Sequence, residues 1–166
     1  MEILPGSVLV AALTLLLAGN TAGRAPSGFR FEASAQPELH RLWDASIQAK
    51  AERVACLAGS IESDTVRITR VWPLEVGASD SLSVSAGASL DTCGPPSWGG
   101  TVHTHVALRD GRKPYSLFSG ADRGIMMLWW RRWQEDGIFC LLYSGEDVIC
   151  EIEGPGGAVL FPRSHY

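Results

Sequence analysis

The sequence predicts an α/β fold, specifically an α+β mixed sheet with flanking helices. Two observations carry that expectation. The segments run in the order strand, helix, strand, strand, long connection, strand, helix, strand, strand, which places helices against a sheet of mixed direction. With 166 residues, 46% of them hydrophobic, the chain is most economically one domain with a substantial core.

Each element has its own signal. Residues 29–33 alternate apolar and polar, as a short strand does. Pro37 opens a helix to about Lys50, with Leu39, Leu42, Trp43 and Ile47 at helix-face spacing. Residues 52–59 are small and apolar after Glu52 and read as a buried strand. Residues 65–73, with Val66, Ile68 and Val71, form its partner across a turn at 60–64. Residues 75–100 are rich in Ser, Gly and Ala and contain Pro95-Pro96; a flap or a short strand is expected there. A histidine-bearing strand follows at 101–108, then a loop at 109–118. A helix from Gly120 to Glu135 ends at Asp136-Gly137, and residues 138–143 and 148–153 close the domain as a hairpin. The Gly/Pro-rich tail, 154–166, is expected to be peripheral.

The formal charge of −4 gives no reason to expect nucleic acid as a partner. Arg123, Arg131 and Arg132 read as a solvated helix face. Residues 1–27 stand apart from the domain at 28–153. Their eleven-residue apolar run, 8–18, suits a secretory signal and is short for a membrane span, although Glu2 and no Lys or Arg precede it. The readings are a signal peptide, an uncleaved anchor that would give the only membrane contact, or a misassigned start or disordered leader. The four cysteines, Cys56, Cys93, Cys140 and Cys150, form no CxxC pair, which argues against a structural zinc knuckle. Cys140 and Cys150 flank the turn at 144–147 and face each other either as a disulfide, fitting export, or as two buried thiols.

The chemistry concentrates between Trp98 and Trp130. His103 and His105 alternate on a strand, so both imidazoles point to one face. Asp122 follows His105 by 17 positions, at the head of the helical segment. Two imidazoles and a carboxylate are the three-ligand set of a catalytic zinc, Zn2+, with the fourth position left for water. A base must take that water's proton and pass it to the leaving amine. Glu52, at the edge of an apolar strand, is the best candidate, because desolvation raises a carboxylate toward a useful pKa. Ser119 is placed to hydrogen-bond a developing oxyanion, and equally to cap the helix. The bland alternatives are a packed H-x-H pair and a solvated Glu52. The second S-x-x-D, Ser144 to Asp147, is a turn signal. Trp129, Trp130 and Trp133, with Ile125, Met126, Met127 and Leu128, are expected in the core. Residues 109–113 read as a solvated loop lying where a substrate tail could pass, and His40 and His165 have no partner at ligand spacing.

The glutamate strand, the H-x-H strand and the S-x-x-D helix start, in that order, resemble the JAMM motif of MPN-domain (JAB-type) metalloproteases over about residues 28–153. Glu52 and Gly59 keep the first block's separation, with Ala55 at its small position and Cys56-Leu57 at its apolar pair. Gly99 to His105 correspond to the second block, with the glycines slightly shifted, and Ser119 and Asp122 to the third. The resemblance implies a single MPN/JAB-like, cytidine-deaminase-like three-layer domain. It also implies zinc on His103, His105 and Asp122, with Glu52 as base and then acid and Ser119 as oxyanion support. Its substrates would be peptide or isopeptide bonds, commonly after the C-terminal glycines of ubiquitin-like proteins. The interval between the second histidine and the serine, 13 residues here (106–118), is longer than the family's usual one and alters what sits beside the scissile bond. The expected function is therefore a zinc peptidase or isopeptidase. The alternatives are an exported enzyme acting on cell-wall or extracytoplasmic peptides, and an MPN scaffold that binds partners without turnover.

Overall fold

The computed structural model describes residues 26–75, 86–154 and 157–166. The leader expected at 1–27 lies almost wholly outside them, as does part of the segment expected to carry a flap. Within them the chain forms β1 (Gly28–Phe31), α1 (Gln36–Ala49), β2 (Val54–Glu62), β3 (Thr65–Pro73), α2 (Ala86–Thr92) and β4 (Gly100–Thr104). It continues through β5 (Leu108–Arg109), β6 (Lys113–Pro114), α3 (Gly120–Trp133), β7 (Gly137–Leu142), β8 (Asp147–Glu153), β9 (Val159–Leu160) and β10 (Ser164–His165). The mixed α+β architecture expected from the order of segments is what forms.

One sheet dominates, with strands in the order β1-β3-β2-β4-β7-β8-β10 and with β9 also on β8. The pairs β1–β3 and β4–β7 are parallel and the others antiparallel. Alternate residues of the central strands serve different cores. Ala55, Leu57 and Val102 pack with Leu39 and Leu42 of α1, whereas Cys56 and Phe139 pack with Met126 and Trp129 of α3. Helices therefore cover both faces, and the period-2 alternation decides which side each strand residue serves. Among the described residues no helix is long and apolar enough to cross a membrane.

Gly100 and Gly59 are dictated by contact with the backbone of a neighbouring strand. A Cβ on Gly100 would lie 1.8 Å from the carbonyl oxygen of Ile138, so the parallel β4–β7 pairing requires glycine there. At Gly59 a Cβ would lie 2.4 Å from the Arg67 carbonyl oxygen, where β2 and β3 shift register through a bulge between Ala58 and Gly59.

Several expectations are corrected. The turn placed at 60–64 is tighter, because β2 runs to Glu62 and Ser63 takes the left-handed conformation (φ 59°). Part of the 75–100 segment is helix α2. The connection at 109–118 contains the hairpin β5–β6, turned by Asp110 and Gly111 at φ 55° and 68°. The α3 helix stops before Asp136-Gly137, at Gln134 in the left-handed conformation, whose N–H bonds to the Trp130 carbonyl. Six consecutive apolar residues, 125–130, cannot share one helical stripe, so Met126 and Trp129 are buried while Met127, Leu128 and Trp130 are exposed. The tail is not peripheral: β9 and β10 both pair with β8, and Phe161 enters the core. All four cysteines are in disulfides, Cys140–Cys150 across β7 and β8 and Cys56–Cys93 between β2 and the end of α2. The second link had no sequence signal, since 37 positions separate its ends.

Candidate metal centre

The site is assembled at the ends of β2 and β4 and the start of α3. The histidine strand is shorter than expected and ends at Thr104. His105 stays aligned because its N–H donates to the Leu142 carbonyl at 2.8 Å, extending the β4–β7 pairing by one residue. His103 and His105 therefore share a face, with their Nε2 atoms 3.2 Å apart. Thr104, between them, points to the opposite side. It is fully buried, its Oγ1 lies 2.5 Å from the Ser46 hydroxyl of α1, and it accepts the Arg53 N–H at 2.9 Å. The Arg53 carbonyl in turn accepts the Thr104 N–H at 3.0 Å. This double tie holds the backbone next to Glu52 against the histidine strand.

Glu52 lies just before β2 rather than inside it, yet it is only 3% exposed. A carboxylate buried that far is not a solvated strand-end charge. Its Oε1 lies 3.9 Å from His105 Nε2. Asp122 completes the group: Oδ1 is 3.3 Å from His103 Nε2 and Oδ2 is 3.5 Å from His105 Nε2. The donor atoms of His103, His105 and Asp122 all fall within 4.8 Å of one another, so the three side chains can hold a metal ion.

Local structure orients each ligand. His105 Nδ1 lies 3.0 Å from the Tyr115 carbonyl; Nδ1–H donates there, which turns Nε2 toward the site. The His103 ring packs against Phe118, with centroids 5.8 Å apart. Asp122 is the third residue of α3 in a capping box. Ser119 N–H donates to its Oδ2 at 2.5 Å, and its own N–H donates to Ser119 Oγ at 3.2 Å. Ser119 is thus an N-cap, and its hydroxyl proton is not used by the cap. The adjacent cation, Arg123, is drawn away into pairs with the buried Glu151 and, at 2.6 Å, with Glu153.

The electrostatics follow from this packing. Burial works to raise the Asp122 carboxyl, but hydrogen bonds from His103 and His105 outweigh it and hold the group well below the usual carboxylate range. For His105 burial works to lower the imidazole. The hydrogen bond to Asp122, the charges of Glu52 and Asp122 and the Tyr115 carbonyl outweigh it and set the ring above its ordinary value.

The structure brings together His103, His105, Asp122 and Glu52, with Ser119 at the rim. Three contributors were not read from sequence: Thr104, the Tyr115 carbonyl and Phe118. Only Thr104 left a signal, as a small β-branched residue alternating with two candidate ligands; its partner Ser46 is 58 positions away. Thr104→Val is expected to lower unfolding stability by about 1–3 kcal/mol in chemical denaturation, because it leaves the Ser46 hydroxyl and the Arg53 N–H without their buried partner.

The sequence matches no known protein family and no curated protein. Among solved structures, the chain is similar to the solution structure of a protein from Desulfitobacterium hafniense, at 13% identity and a TM-score of 0.48, over 81% of this chain and 91% of that one.

Proposed function

We propose that the chain is a zinc-dependent peptidase or isopeptidase of the JAMM type, with an MPN/JAB-like fold. The observation that carries the reading is the spacing of the three donors. An ion bound tetrahedrally at about 2.0–2.1 Å spreads its nitrogen and oxygen ligands about 3.3–3.4 Å apart. The two Nε2 atoms are 3.2 Å apart, and Asp122 reaches His103 with Oδ1 at 3.3 Å and His105 with Oδ2 at 3.5 Å. With one atom from each residue the three donors lie within 4.8 Å, a spread that closes to the tetrahedral one by a small turn of the carboxylate. Two imidazoles and one carboxylate suit zinc by ligand type, and three protein ligands leave a position open for chemistry.

A zinc ion bound there supplies Lewis acidity, polarising the scissile carbonyl and acidifying a water. Glu52, buried beside His105, accepts the proton of the attacking water and delivers it to the leaving nitrogen. The Ser119 hydroxyl, free to donate, faces the carbonyl oxygen as charge develops on it. Asp122 and the Tyr115 carbonyl keep the two imidazoles in register. The substrate under this reading is an extended peptide or isopeptide segment, with the tail of a ubiquitin-like protein as one candidate. The two disulfides favour a second reading of the substrate, an extracytoplasmic peptide such as one of the cell wall, because such bonds persist in oxidising compartments.

Metal analysis of the purified full chain, paired with a peptide-cleavage assay, tests the proposal. About one zinc per chain is expected, with hydrolysis abolished by a chelator and restored by added zinc. Absence of stoichiometric metal removes the centre, and full zinc without hydrolysis of peptide or ubiquitin-like substrates removes the enzyme.

A further inference from the structure

The connection between His105 and Ser119 builds a pocket against the metal centre. Ala107, Tyr115, Leu117 and Phe118 form its apolar walls, and Glu52, His105 and Ser119 its polar floor. Its volume, about 340 Å³, falls within the span of about 300–1,000 Å³ usual for ligand clefts. The walls carry apolar surface that the fold does not use: Leu117 is 63% and Tyr115 47% exposed. A single exposed leucine means little, but several apolar side chains converging on a polar floor mark a binding site. These walls are also held in place. The Tyr115 carbonyl accepts from His105, Arg163 Nη2 donates to the Ser116 hydroxyl at 2.9 Å, and Phe118 is packed between the His103 ring and the Arg123 guanidinium.

We infer that this pocket receives a branched aliphatic or aromatic side chain of the substrate residue flanking the scissile amide. The inference rests on the hydrolase reading above. A polypeptide laid across the centre with its amide at Glu52 and Ser119 brings the neighbouring side chain to the Leu117 wall. There an apolar group is buried, whereas an acidic one meets the carboxylate of Glu52. The selectivity belongs to the connection, not to the metal ligands.

The zinc-loaded full chain is incubated with a peptide library of mixed sequence, and the residues on both sides of each cut are read by mass spectrometry. Leu, Ile, Met or Phe is expected at one flanking position at least about tenfold more often than Gly or Asp, the discrimination an apolar pocket provides. Ala107→Trp, which fills the pocket, should abolish that enrichment, and Leu117→Asp should replace it with a preference for Lys or Arg. A second measurement does not require turnover. N-acetyl-leucinamide, and not N-acetyl-glycinamide, should shift the methyl resonances of Ala107 and Leu117 in the zinc-loaded protein. Cleavage without flank preference, or a preference that both variants retain, overturns the inference. If no peptide is cut, the hydrolase reading falls and the methyl shifts decide the pocket: a leucinamide-specific response upholds it, and no response overturns it.

Discussion

Asp122→Ala is expected to leave the purified chain without stoichiometric zinc, its affinity lowered by more than about 100-fold. Disturbing a group that merely orients a metal ligand already costs about 10–100-fold, and this substitution deletes a ligand outright. The loss is severe because, among the described residues, His103, His105 and Asp122 are the three whose donor atoms converge, and the change leaves two. The same change breaks half of the capping box, so helix fraying must be separated from metal loss. Ser119→Ala provides the control. It removes the other half of the cap, at a cost of about 1 kcal/mol, while keeping all three donors. Metal content by mass spectrometry should fall in Asp122→Ala and hold in Ser119→Ala. Zinc retained at full stoichiometry by the first variant would exclude Asp122 from the centre. In the unsubstituted chain, zinc affinity should weaken on acidification as protons compete for His105. Because that ring sits above its ordinary pKa, the weakening should begin at a higher pH than for a free imidazole.

Glu52→Gln is expected to keep the metal and lose hydrolysis by about 10²–10⁴-fold, the contribution of a positioned acid–base group. The substitution preserves the shape of a side chain only 3% exposed, so the tie of Arg53 to Thr104 and the strand beside it should be undisturbed. At about 1.36 kcal/mol per decade, the loss is some 3–5 kcal/mol of transition-state stabilisation. It should appear in kcat with little change in KM, since glutamine still fills the position but cannot take up the water's proton. Near-normal turnover would assign the proton transfer to another group.

The parts of this architecture that were legible in the sequence are those set by local pattern. The 65–73 strand, the helix behind Pro37 and the hairpin around Ser144 to Asp147 follow from periodicity and turn chemistry. The Ser144 hydroxyl indeed accepts the Asp147 N–H at 2.8 Å, as its reading as a turn requires. The two histidines and Asp122 were legible because strand alternation and a helix N-terminus both constrain where side chains point. Other features depend on distant partners and left no local trace. Cys56 is held by Cys93, 37 positions away, and the partner of Thr104, Ser46, lies 58 positions away, whereas the tail strands pair with the nearby β8 and were hidden by their shortness, two residues each. The run from Ile125 to Trp130 misled because composition says how much apolar surface a helix has, not which side of it a neighbour covers.

The two covalent rings enclose residues 56–93 and 140–150, and neither contains Glu52, His103, His105 or Asp122. The cross-linked residues and the candidate ligands therefore occupy different stretches of the chain. Breaking either cross-link with a thiol reagent relaxes the unfolded ensemble and makes the molecule easier to melt, and because His103 lies opposite Leu141 and His105 is bonded to Leu142, the smaller ring also braces the strand on which the histidines are aligned.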